Sequence, residues 1–215
     1  MLRYETRGPR AVLTIDDPER RNPMSLETMA ALVDGVARAA ADDDVRVLVI
    51  TGAGYKAFSA GGDLSGRFVD APLADHDERG ELAELFRALR RCGKPVIARV
   101  NGHAIAGGFG LAAACDIVIA VETATFGTPE LQIGLWPMMI GAILQRLVPQ
   151  RTALDLMLTG RRISAVEAQQ IGIVSQVVAV DRLDAAVDET VARLLAVSPA
   201  ALALGKHAFY AVEDM

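Results

Sequence analysis

Hydrophobic residues alternate with polar ones at Ala11-Val12-Leu13-Thr14-Ile15, a strand pattern that Asp16-Asp17-Pro18 ends. The period then lengthens. Behind Ser25, a candidate N-cap, Leu26, Met29, Leu32, Val33 and Val36 fall on one helical face. Val45 to Thr51 is rich in β-branched residues and reads as a buried strand running into Gly52-Ala53-Gly54. Residues 66 to 80 lack periodicity and mix acids with Pro72, which predicts a mobile loop. A helix follows over Glu81 to Cys92, with Leu82, Leu85, Phe86 and Leu89 inward. Strands are expected at Pro95–Val100, Asp116–Val121 and Val174–Val178, with a short helix at about Gly107–Ala114. Helices are expected at about Met139–Val148, Arg151–Thr159, Val180–Leu195 and Pro199–Val212, and Ser164-Ala165-Val166-Glu167 reads as a capping box.

Strand, loop and helix thus recur with rough regularity, which is an α/β pattern. Beyond Thr152 the chain is mostly helical. Its 215 residues suit one domain with an ample core. The net charge of −5 leaves no basic stripe for nucleic acid, although a local basic cluster could hold a small phosphorylated ligand. Cys92 and Cys115 lie in apolar surroundings without metal-type spacing and read as buried thiols of a reducing compartment. The opening residues carry a charge pair and no apolar run, and the longest apolar stretch, Ala104 to Cys115, is short and glycine-rich. A soluble, cytoplasmic protein without a membrane partner is expected.

Three segments carry candidate chemistry. Gly52-Ala53-Gly54-Tyr55-Lys56-Ala57 fits a dinucleotide-binding pattern after a strand, but Phe58-Ser59-Ala60-Gly61-Gly62 follows at once and cannot continue a helix. Ala60-Gly61-Gly62 by itself reads as a plain turn. With Asp63 and Leu64 behind it, it also reads as a nest of backbone N–H groups approaching a ligand, Asp63 being a possible N-cap. Ala106-Gly107-Gly108 sits where a strand turns into a helix. There the unsatisfied N–H groups and the macrodipole favour an anion, although close helix–strand packing asks for the same glycines.

The third segment is Phe126-Gly127-Thr128-Pro129-Glu130, followed by Leu131 to Met139, which includes Trp136, Met138 and Met139. A carboxylate among so many apolar residues has its charged form disfavoured, which shifts it toward proton transfer near neutrality. A helix-capping or surface acid is the other reading. Trp136 either lines a channel or packs in the core. His103 reads as structural, His76 and His207 lack ligand spacing, so no metal is expected, and Asp116 reads as bonding local backbone.

Taken together, the chain resembles the enoyl-CoA hydratase/isomerase (crotonase) superfamily. The resemblance runs through Arg21-Asn22-Pro23-Met24, Ile50-Thr51-Gly52, Lys56 to Leu64 and Lys94 to Ala98. It continues through Asn101-Gly102, Ala106-Gly107-Gly108, Cys115-Asp116-Ile117, Phe126 to Glu130 and Leu158 to Arg161. It implies a crotonase-like spiral of repeated ββα units over residues 1–195, with residues 196–215 as the start of a shortened helical C-terminal segment used for oligomerisation. It implies acyl-CoA thioesters as ligands, no cofactor beyond the coenzyme A of the substrate, and a homotrimer or dimer of trimers.

By the same resemblance the N–H groups of Gly62 and Gly107 form an oxyanion hole, and Glu130 is the second of two hydratase glutamates. Ala60, Gly61, Asp63 and Leu64 bind substrate, and Arg20 and Arg21 either contact the coenzyme A phosphates or make surface salt bridges. Where hydratases carry their first glutamate, this chain has Gly110. A lone carboxylate suits moving a proton between C2 and C4, so double-bond isomerisation is favoured over hydration of a 2-trans-enoyl-CoA. Acyl-CoA binding without turnover is the third reading.

Overall fold

The alternation at the start of the chain sends Ala11, Leu13 and Ile15 into the core without residual exposure and turns Arg10, Val12 and Thr14 to the opposite face. In the computed structural model, which describes residues 1–62 and 72–213 (side chains of 72–79 and 213 excepted), these residues form β2 (Arg10–Ile15). β2 pairs antiparallel with β1 (Leu2–Arg7) through the two-residue turn Gly8-Pro9. Ser25 caps α1 (Leu26–Ala41) by accepting the Thr28 N–H at 3.3 Å, and Met29, Leu32 and Val36 are buried as the period requires.

From here each turn of the chain lays one strand in each of two sheets. β3 (Val47–Gly52) joins the large sheet and β4 (Ala57–Ser59) the small one. The next turn gives β5 (Val96–Val100) and β6 (His103–Ile105), and the third gives β7 (Ile117–Val121) and β8 (Thr125–Gly127). Helices α2 (Pro72–Arg91) and α3 (Gly107–Ala113) separate the turns.

The large sheet has the order β1-β2-β3-β5-β7-β10, parallel except for β1, where β10 is Gln176–Val178. The small sheet has the order β4-β6-β8-β9, with β9 (Arg162–Ser164) antiparallel to β8. This repeated ββα winding is the spiral that the sequence resemblance implied.

Helix α2 corrects one expectation. Residues 72–80 are helical, so α2 starts nine residues ahead of Glu81, while residues 66–71 of the expected loop lie outside the described part. Proline suits a first helical position because its fixed φ matches and its missing N–H would have no partner there.

Three helices complete this region: α4 (Met138–Leu147), α5 (Gln150–Thr159) and α6 (Ala165–Gln170). Only half of the expected capping box forms. Ser164 Oγ accepts the Glu167 N–H at 3.1 Å, but the Glu167 carboxylate takes the Arg161 guanidinium at 2.7 Å instead.

The C-terminal helices are α7 (Leu183–Leu195) and α8 (Pro199–Glu213). A polar latch holds α8 to the core. Lys206, whose side chain is 8% exposed, donates to the carbonyls of Leu89 and Lys94 and to Asp116 Oδ2, at 2.8, 3.0 and 2.7 Å. Asp116 also accepts the Val96 N–H and the Tyr210 hydroxyl, so in place of the expected bond to local backbone its carboxylate reaches a neighbouring strand and α8. Burial, followed by the Asp116 charge, holds the Tyr210 phenol well above the usual tyrosine range. Leu204, Phe209 and Val212 of α8 remain exposed. Among the described residues no helix is long and apolar enough to cross a membrane.

Candidate active site

Strands β4, β6 and β8 are parallel neighbours, so their carboxyl ends open on one edge, the position where α/β folds place ligands. Each strand is only three residues long and runs directly into one of the three candidate segments. Their floor is rigid. Phe58 on β4, Phe109 on α3 and Phe126 on β8 are all fully buried, and the rings of Phe109 and Phe126 lie 5.5 Å apart. Burying each ring contributes about 1.5–3 kcal/mol, enough to fix the segments it carries.

The first segment is held from both sides by buried asparagines. Asn22 Nδ2 donates to the carbonyls of Ala53 and Ala57 at 2.9 and 2.8 Å, while its Oδ1 accepts the Asp17 N–H. Asn101 Nδ2 donates to Gly54 O at 2.9 Å and to Ala57 O at 3.3 Å. Beyond them the chain pairs with residues 21–24: Ala60 N–H donates to Arg21 O, and Met24 N–H to Gly61 O. Gly62 forms a bridge with Met24 and is exposed. Asp63 and Leu64 lie outside the described residues.

The second segment turns at Ala106, a non-glycine residue at φ 51° and ψ −129°. Such a conformation costs about 1–3 kcal/mol and persists only where the surroundings enforce it. It starts α3 so that the first N–H groups of the helix, Gly107 and Gly108 among them, have no intrahelical partner. Gly107 is buried.

The two segments touch. A Cβ on Gly61 would lie 2.7 Å from Ala106 Cβ, and one on Gly108 would lie 2.5 Å from Ser59 O. Gly61 also has φ +91°, a left-handed conformation that a side chain resists. Gly61→Ala is therefore expected to part the loops and lower stability by about 1–3 kcal/mol, read by urea unfolding. An unchanged midpoint would mean that this contact is not tight.

The third segment is stitched to the second, since Ala106 N–H donates to Gly127 O at 2.9 Å. Thr128, fully buried, anchors it to α5 by donating to Leu156 O. Glu130 follows in a 3₁₀ turn, Pro129–Ile133. Its Oε2 is buried without a hydrogen-bond partner among the described residues. Burial raises its pKa above the ordinary glutamate value, although backbone hydrogen bonding partly offsets this.

Arg20 and Arg21 close a 3₁₀ turn, Pro18–Arg20, beside the first segment. Arg20 Nε bonds Asp17 Oδ2 at 2.9 Å, and this contact lowers the Asp17 pKa. Arg21 is exposed and contributes its carbonyl to Ala60. Trp136, at 42% exposure, is not a core residue. His103 shares a 2.9 Å hydrogen bond with Thr125 away from these segments. No group of three or more metal-ligating side chains occurs among the described residues. The sequence signals did not assign roles to Asn22 and Asn101, because an asparagine near a turn looks alike whether it caps its own backbone or reaches a distant one.

Comparison with known proteins accords with this geometry. Residues 7–214 match the family model described as enoyl-CoA hydratase/isomerase. The chain is 42% identical over 176 residues to a putative enoyl-CoA hydratase of Thermus thermophilus, covering 80% of this chain and 68% of that protein. It is 37% identical over 218 residues to the carnitinyl-CoA dehydratase of Salmonella typhi, covering 100% and 82%. The enoyl-CoA hydratase structure from Mycobacterium smegmatis superposes with a TM-score of 0.93 at 33% identity, over 97% of this chain and 82% of that one.

Proposed function

Because the chain belongs to the enoyl-CoA hydratase/isomerase family, we propose that it shifts the double bond of an enoyl-CoA thioester, with Glu130 as its single acid/base. The observation that carries this reading is the surroundings of Gly110. A Cβ there would lie 2.8 Å from Phe86 Cζ and 3.1 Å from Ile140 Cγ1. Apolar groups thus crowd the place from which a second carboxylate would have to project, and they leave little room for a water held by it.

In this reading Glu130 takes a proton from C2 of a 3-enoyl thioester. The electron pair moves to the thioester oxygen, where the N–H groups of Gly62 and Gly107 hold the enolate. Glu130 then returns the proton at C4, giving the conjugated 2-enoyl thioester. Two backbone donors of this kind are worth about 10²–10³ in rate each. The protein supplies every group these steps use, and coenzyme A enters only as part of the substrate.

Ala60 and Gly61 would lie against the thioester, as would Asp63 and Leu64 by the sequence resemblance. By the same resemblance Arg20 and Arg21 would meet the coenzyme A phosphates, and the half-exposed Trp136 the acyl chain. The exposed Leu204, Phe209 and Val212 on α8 support assembly into a trimer, and the proposed setting is the cytoplasm.

Hydration or dehydration is the second reading, favoured by the names of the relatives. The two separate by product. Incubated with a trans-3-enoyl-CoA in D₂O, the protein is expected to give a conjugated 2-enoyl-CoA, seen by chromatography and mass spectrometry, with deuterium at C4 only to the extent that the proton on Glu130 exchanges with solvent before it is returned. A hydroxyacyl product from trans-2-enoyl-CoA, with no isomerisation, would replace this reading with hydration. Tight thioester binding without either product would identify an acyl-CoA-binding protein.

A further inference from the structure

The face of the large sheet opposite α1 carries a polar cleft that borders Gly52, Ala53 and Gly54 but is lined by neither of the two glycine loops beyond them nor by Glu130. It encloses about 490 Å³ between the sheet and α7, and four arginines line it, Arg3, Arg7, Arg10 and Arg99, in a chain of net charge −5. The strand register orders them. Arg3, Thr14, Thr51 and Arg99 form one row across β1, β2, β3 and β5, and Arg7 and Arg10 begin another. Between the two rows lie Glu5, Val12 and Val49, faced from α7 by Val187. The cleft therefore has arginines at each end and a middle that is apolar over β2 and β3, with Glu5 at its β1 edge.

Two of the arginines are fixed and their partners are not. Arg10 Nη1 meets Asp188 at 2.6 Å, and Arg99 Nε meets Asp184 at 2.8 Å. The arginine side chains are 20% and 23% exposed, the aspartates 63% and 79%. Part-buried cations are thus held by carboxylates that stand mainly in water, where solvent screens each pair. Arg10 Nε is moreover buried without a hydrogen-bond partner among the described residues. The remaining pairs, Arg3 with Asp16 and Arg7 with Glu5, are open to solvent on both sides.

Asp184 and Asp188 are one helical turn apart on α7, their Cβ atoms about 5–6 Å from each other, and buried Val187 lies next to them, so the helix presents two carboxylates beside an apolar side chain. In outline that is a short dicarboxylic acid, supplied by the protein itself.

We propose that this cleft binds a small organic dianion with a carboxylate, or an equivalent anion, at each end of a short apolar chain. The ligand replaces Asp184 and Asp188 on Arg99 and Arg10 and lays its methylenes on Val12, Val49 and Val187. The hydroxyls of Thr14 and Thr51 lie beside the Arg99 pole. The proposal is independent of the reaction assigned to Glu130.

The probe is adipate, with hexanoate as its single-ended counterpart, titrated calorimetrically into the full chain with and without a saturating acyl-CoA. Adipate is expected to bind at one site per chain, at least about tenfold more tightly than hexanoate, with no competition from the thioester. Asp184→Asn/Asp188→Asn should tighten adipate several-fold by freeing both guanidiniums, whereas Arg99→Gln should abolish the difference between the two acids. Circular dichroism checks that each variant folds. No saturable adipate binding, equal binding of hexanoate, displacement by acyl-CoA, or weaker binding in the double aspartate variant would each overturn the site and leave the arginines as structural ion pairs.

Discussion

Glu130→Gln is expected to lower kcat by about 10²–10⁴-fold while leaving thioester affinity within a few-fold of the parent. The amide keeps the shape of the side chain but cannot accept the proton. Retained turnover would remove Glu130 from the chemistry. The parent's pH profile carries the same information. As the base, Glu130 acts when deprotonated, so kcat should rise with pH through a pKa above the ordinary glutamate value, because burial opposes its charge.

Stability should move the opposite way. A carboxyl whose folded pKa is raised binds more protons folded than unfolded between the two pKa values, so stability falls as pH rises through that window. Glu130→Gln should therefore raise Tm at neutral pH, and the gain should vanish below the unfolded glutamate pKa. A variant equally stable or less stable at neutral pH would contradict the burial assigned here.

Lys206→Met should be the most destabilising change in the C-terminal helices. The side chain is 8% exposed and joins α8 to Leu89, Lys94 and Asp116. Methionine keeps much of the volume but leaves two carbonyls and one carboxylate oxygen short of a donor. Breaking a buried pair costs about 3–5 kcal/mol. Asp116 is 20% exposed and keeps its bonds to Val96 and Tyr210, so about 3 kcal/mol is expected. For a chain of this size that is a Tm fall of roughly 6–12 °C. Limited proteolysis should then cut first near Val197, ahead of α8. An unchanged Tm would show that α8 is held by its apolar contacts alone.

How much of this could be read from the sequence depended on how far each element's partners lie along the chain. β3, β5 and β7 are runs of buried apolar residues, and composition alone marks them. β1 escaped because Arg3, Glu5 and Arg7 alternate with Leu2, Tyr4 and Thr6 on an edge strand, so no apolar run appears. β4, β6, β8 and β9 have three residues each, too few to show a period, and they exist because the spiral brings them together. The opening of α2 was hidden by Asp75, Asp77, Glu78 and Gly80, which break the apolar repeat.

The site segments were legible because glycines and a carboxylate mark them locally. The strained turn at Ala106 was not, since alanine rarely adopts such a φ and it is Gly61 packed against its Cβ, with Gly127 O accepting its N–H, that holds it there. Nor was the meeting of Asn22 and Asn101, which lie in different turns of the spiral.

That meeting has a kinetic consequence. A carbonyl oxygen has two lone pairs, and those of Ala57 are both engaged, by Asn22 and Asn101. The peptide plane leading into the first glycine segment therefore cannot rotate without breaking two hydrogen bonds at once. If Gly62 N–H is the donor proposed above, it is held before any ligand arrives and would require no reorganisation at the moment of reaction. Stopped-flow traces of thioester capture should show one concentration-dependent phase, with no slower step for the first segment to find its place.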